Sequence, residues 1–211
     1  MAGDTHELTI AETGMPGEAL PETATGARSF GWWGMVWLIA TEATLFALLL
    51  ASYFYLRFRS PHWPPEHIEA PKLMLPLIMT AILWSSSIPV HIAEKGIEKG
   101  RQGRLKWGLA LGWLLGFTFL AITLGMEWPE TAKEFTPREN SYGSMFFTVT
   151  GFHLSHVIVG LSVSAFTQVR AWQGAFTEMK HVSVQNFAMY WHFVDIVWLF
   201  VLLSIYISPH F

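Results

Sequence analysis

The chain has no cysteine among its 211 residues. That excludes disulfides, thiolate catalysis and Cys-ligated metals, and it leaves the redox compartment unreadable from cysteine usage. Charge is also scarce. Asp, Glu, Lys and Arg make up 14% of the chain, where a soluble domain carries roughly 25%. Neither sign prevails: a net charge of −3 is too small to imply nucleic acid or another strongly charged partner. No basic region leads into an apolar stretch near the start, so no cleaved signal peptide is expected. No long internal repeat is visible. What the chain has instead is apolar surface, 52% of its residues, with a positive mean hydropathy. Eleven Trp and sixteen Phe suit the aromatic belts of a bilayer protein.

A spanning helix needs about 20 apolar residues. Five stretches qualify, at about 32–56, 73–93, 107–126, 144–169 and 186–207. They predict an all-α integral membrane bundle of five transmembrane helices over residues 30–211. Residues 1–29, with Asp4, Glu7, Glu12, Glu18 and Glu22 among Gly, Pro, Thr and Ala, have the composition of a disordered polar tail. Pro76 falls in the first turn of the second span, where it is tolerated. Pro89 is expected to kink or end that span, with Ser85, Ser86 and Ser87 able to satisfy the freed carbonyls. Five spans put the tail and loops two and four on one side. That side holds Arg28, Lys95, Lys99, Arg101, Arg104, Lys106, Arg170 and Lys180; the other holds Arg57, Arg59, Lys72, Lys133 and Arg138. The excess places the N-terminus in the cytoplasm and the C-terminus outside. Loop three, "EWPETAKEFTPREN", reads as a Glu-rich connection.

Several ionisable residues lie inside these spans. Glu42 is about 15 Å into the first, and His153 and His156 are about 13 and 18 Å into the fourth, at helical rise. The histidines are three apart and share a face. His192 and Asp195 share a face of the fifth. Such groups at that depth cost several kcal/mol unless paired or wet, so they are expected to meet one another across helix interfaces. Three uses compete: a metal site, a proton relay, and buried hydrogen bonds that fix helix register. Against metal, the histidine pair lacks the Glu-x-x-His pattern of di-iron bundles and the His-Glu-x-x-His helix. No catalytic triad is visible. Gly108, Gly112 and Gly116, four apart, form a smooth strip for close helix packing. Trp32, Trp33, Trp107 and Trp128 read as belt residues, Trp191 and Trp198 as packing.

The last two spans go beyond composition. "YGSMFFTVTGFHLSHVIVGL" (142–161) and "YWHFVDIVWLFVLLSIYIS" (190–208) closely resemble the last two helices of subunit III of haem-copper oxidases, cytochrome c oxidase above all. "IATEATLFALLLASYFYLRF" and "WSSSIPVHIAEKGIEKG" resemble the family's helix with a mid-membrane Glu and its Ser-Ser helix. The resemblance runs over about 30–208. Full-length members have seven helices, so this chain resembles the five-helix bacterial form, and the face left by the two others would meet lipid or another subunit. Leu154-Ser155 stands between the histidines where the family most often begins with Gly; a crowded helix contact is expected there.

The resemblance implies a non-redox subunit of a respiratory terminal oxidase in a bacterial plasma membrane. It implies no catalytic residue, metal or haem in this chain, with haem and copper in partner subunits I and II. It implies bound phospholipids and support for proton uptake and oxygen access. A supercomplex is an open extension. By the same resemblance Glu42 matches the mid-membrane acid, and His153 and His156 match the paired histidines. Arg170 matches a basic residue near lipid headgroups, and His192 and Asp195 match the Trp-His-Phe-Val-Asp motif. A Glu42 hydrogen bond to His153 or His156 is expected. The rivals are a quinol oxidase subunit III, a nitric oxide reductase accessory subunit and, from another class, a small proton-coupled transporter.

Overall fold

The structure is a computed structural model that describes residues 29–65, 68 and 71–211. The predicted tail, apart from Ser29, lies outside the described residues, as does Arg28. The described residues form helices α1 (Phe30–Arg59), α2 (Met74–Ile97), α3 (Gln102–Ile122), α4 (Trp128–Glu134), α5 (Ser141–Trp172) and α6 (Val182–Val201). A π-helical turn, Thr123–Glu127, joins α3 to α4, and a second one, Leu202–Ile207, prolongs α6. Five helical stretches are therefore long and apolar enough to cross a membrane: Phe30–Arg59, Met74–Ile97, Gln102–Glu134, Ser141–Trp172 and Val182–His210.

Local chemistry sets the helix ends. Ser29 Oγ accepts from Trp32 N, and Asn140 Oδ1 accepts from Gly143 N at 2.7 Å. These side chains satisfy amides that a helix start leaves open. Gly100 (φ 65°) follows α2 and Gly174 (φ 73°) follows α5. That left-handed backbone costs glycine little and lets the chain leave the helix.

Of the two outcomes expected at Pro89, a kink or an end, the end does not occur: its helix runs on to Ile97. The neighbouring Ser85 and Ser86 hydroxyls donate to the carbonyls of Ile82 and Leu83. Loop three is not a plain connection either. The π-turn and α4 carry the third span through to Glu134, because Pro129 sits in the first turn of α4, where a missing N–H is harmless.

α6 lies at the centre, against α1, α2 and α5. The glycine strip of α3 lets the bundle close around it. A Cβ on Gly108 would fall 2.5 Å from Pro89 O and 2.9 Å from Ala93 Cβ, and one on Gly112 would fall 2.6 Å from Val90 Cγ2. α3 thus rests on the backbone of α2. One on Gly116 would fall 2.6 Å from the Trp191 ring, and Gly160 of α5 faces the same ring at 2.8 Å. Trp191 is 1% exposed and donates to Ser86 Oγ at 2.8 Å. Trp198, also buried, donates to Thr80 Oγ1 at 2.8 Å. Leu154 is accommodated in the core. Trp128, read as a belt residue, instead packs partly buried against the core beside Phe147.

The helix ends sort into two sets. At one end Asn186 Nδ2 donates to Gly31 O, Gln102 Nε2 to Phe176 O and Gln168 Nε2 to Lys106 O. At the other, Arg57 donates to Ser208 Oγ and His210 Nε2 to Pro71 O.

Gly108→Ala should lower stability by about 1–3 kcal/mol, the cost of overpacking, because the carbonyl it meets is backbone. Gly103, with nothing within 4 Å of its added Cβ, is the control. Gly103→Ala should be neutral or gain up to about 1 kcal/mol. Thermal unfolding of the two variants in one detergent checks the pair.

Candidate functional site

α1 buries only Phe46 and Tyr53. It leaves a groove of about 280 Å³ against α5 and α6. The walls are apolar, with Met35, Leu38, Val159, Val163, Phe187 and Tyr190, and Glu42 and His156 meet among them. His156 Nε2 lies 3.0 Å from Glu42 Oε2.

The other ring nitrogen settles how that contact is protonated. His156 Nδ1 lies 2.7 Å from Phe152 O. A carbonyl only accepts, so Nδ1 carries a proton. Exactly one further proton can then sit between Nε2 and Oε2. Either a Glu42 carboxylic acid donates to a neutral ring, or an imidazolium donates to a carboxylate. Both forms satisfy both partners, as an intramembrane acid requires. The Phe46 ring, 5.0 Å from the imidazole, and the Tyr190 hydroxyl, which donates to His156 O at 3.2 Å, frame the pair.

The remaining polar residues do not join it, although their depths overlap. Helical rise gives depth and not direction. His153, 1% exposed, turns inward. Its Nε2 donates to Val194 O at 3.2 Å, with the Trp198 ring 4.9 Å away. His192 and Asp195 form a third arrangement with α2. His192 Nδ1 lies 3.0 Å from Ser87 Oγ, which in turn donates to Asp195 Oδ2. The expected single cluster is thus three separate sites. Among the described residues no three His, Asp or Glu side chains converge in a way that could hold a metal.

Arg170 is exposed near the end of α5, its guanidinium 5.5 Å from the Phe176 ring centroid and 5.9 Å from that of Phe166. Cation–π attraction to these two rings restrains the charge.

Sequence reasoning missed two participants. Ser87 was read only as a helix-carbonyl partner, yet it bridges His192 and Asp195. Glu127 was assigned to a loop, yet it is 4% exposed and accepts from the Tyr206 hydroxyl beside a cavity of about 140 Å³. The apolar run "FLAITLGM" before it was the available signal that the helix continues.

Removing a partner from a buried polar group costs about 1–3 kcal/mol. Glu42→Ala should therefore destabilise the protein by that amount, and Glu42→Gln, which still offers an oxygen and an amide, by less. Equal melting temperatures for both variants and the parent would refute the pairing as a stabilising contact. Tyr206→Phe should cost a similar amount through Glu127.

The family model for cytochrome c oxidase subunit III matches residues 9–209. Cytochrome c oxidase subunit 3 of Coturnix japonica is 35% identical over 203 residues, covering 93% of this chain and 75% of its own length. That of Locusta migratoria is 35% identical over 184 residues, covering 82% and 67%. That of Carassius auratus is 36% identical over 203 residues, covering 93% and 75%. A match across nearly the whole chain, added to five helices able to cross a bilayer, shows that this multi-pass membrane protein belongs to the cytochrome c oxidase subunit III family.

Proposed function

We propose that this chain is the non-redox subunit III of a respiratory haem-copper oxidase of the cytochrome c oxidase type. In this reading it sits in a bacterial plasma membrane. It packs against the catalytic subunit that carries haem and copper, with subunit II in the same complex. Its N-terminus faces the cytoplasm, which the basic residues Lys95, Lys99, Arg101, Arg104, Lys106, Arg170 and Lys180 at that end support.

The observation that carries the reading beyond family membership is the groove between α1, α5 and α6. It is apolar, and the Glu42–His156 pair lies among its walls. Acyl chains suit the walls. The exposed guanidinium of Arg170, restrained by two rings, suits a lipid phosphate at the headgroup level. A lipid in the groove would keep α1 in place and shield the Glu42–His156 pair from bulk water. That arrangement supports the catalytic subunit over many turnovers, keeps a dry apolar route for oxygen, and holds a protonatable pair near the path of proton uptake.

Purification through a tag on this chain in mild detergent tests the proposal. Haem bands in the reduced-minus-oxidised visible spectrum, a large co-purifying subunit and retained phospholipid are expected. A colourless chain that purifies alone, from cells making the full complex, would overturn it.

A further inference from the structure

Glu127 is a buried acid that neither the groove nor the Glu42–His156 pair accounts for. It is 4% exposed and sits in the π-turn between α3 and α4. Its Oε1 accepts from the Tyr206 hydroxyl. Its Oε2 is buried and has no hydrogen-bond partner among the described residues. A carboxyl oxygen taken out of water without a donor carries the whole of its desolvation cost. The same side chain lines a cavity of about 140 Å³.

The rest of the wall has a consistent chemistry. Glu130 and Glu134 follow Glu127 at helical spacing, fall on the same face, and line the cavity with it. Both are exposed, as is Lys72, so the cavity opens at the surface and Glu127 forms its buried part. Lys72 is the one cationic side chain on the wall among the described residues. Its segment is held at this end of the bundle by the bond from His210 Nε2 to Pro71 O. Phe135 and Tyr206, each 1% exposed, add two aromatic rings.

We propose that this cavity binds a primary ammonium group, with one N–H donated to Glu127 Oε2 and the charge shared with Glu130 and Glu134. Three carboxyls against one lysine favour a cation. The carboxyls do not converge in a way that could hold a metal ion, and carboxylates beside aromatic rings suit an organic cation. A quaternary head has no N–H to give Oε2, whereas a primary ammonium has three. Lys72 on the same wall suits a phosphate attached to the amine, as in a phosphoethanolamine head. The site lies at the opposite end of the bundle from Arg170 and does not depend on what fills the groove.

The test is a calorimetric titration of the full-length chain, with whatever subunits accompany it in mild detergent, at fixed sodium chloride. The probes are ethanolamine, choline, glycerophosphoethanolamine and glycerophosphocholine. The two ethanolamine compounds should bind and the two choline compounds should not. Glu127→Gln should weaken the ethanolamine compounds by about tenfold or more, the loss of one charge-assisted hydrogen bond. Glu134→Gln, at an exposed position, should weaken them in the same direction and separates lost binding from a folding defect at Glu127. Lys72→Met should weaken glycerophosphoethanolamine and spare ethanolamine if a lipid head is the source. No effect of Lys72→Met on either would support the ammonium site with a free amine as its source. Binding by none of the probes, equal binding of ethanolamine and choline, or unchanged affinity in both Glu variants would overturn the proposal.

Discussion

Everything in this bundle depends on how closely three helices can approach Trp191. Its indole fills the space that side chains would occupy at Gly116 of α3 and Gly160 of α5, while its N–H reaches Ser86 of α2. One side chain on the central helix thereby locks three others. Lipid gives no hydrophobic drive for helix association, so close packing and interhelical hydrogen bonds must supply it. Glycine provides the first and the indole N–H the second. The indole N–H of Trp198, two turns further on, makes a second such bond to Thr80, so α2 and α6 are tied twice.

α1 packs against α6 and adds three polar ties: Gly31 O to Asn186 near its start, Glu42 to His156 in the middle, Arg57 to Ser208 near its end. Between these points Ile39, Leu45, Leu49 and Leu50 pack partly buried against the core, and the groove lies where α1 faces α5 and α6 beside Glu42. The Glu42 carboxyl ties α1 to α5 through His156.

The polar residues at mid-membrane show how a shared depth can mislead. Glu42, His153, His156 and Asp195 all lie at similar heights, which suggested one cluster. Rotation about each helix axis separates them. His153 and His156 sit three residues apart, yet the first turns toward the backbone of α6 and the second toward α1. A face of a helix is broad, and three residues are enough to meet two different neighbours.

Much of this protein could be read from the amino-acid sequence alone. The number of spans follows from runs of apolar residues, because a bilayer demands a fixed length of them. The family follows from two long motifs in order, and the close contacts of α3 from glycines four apart. Tertiary structure decided what one-dimensional spacing does not encode. It chose His156 over His153 for Glu42, brought Ser87 between His192 and Asp195, and carried the third span past Glu127 to bury a carboxyl that looked like part of a loop. Composition reports whether a residue can lie in a membrane; only the packing angle and rotation of each helix determine what it meets there.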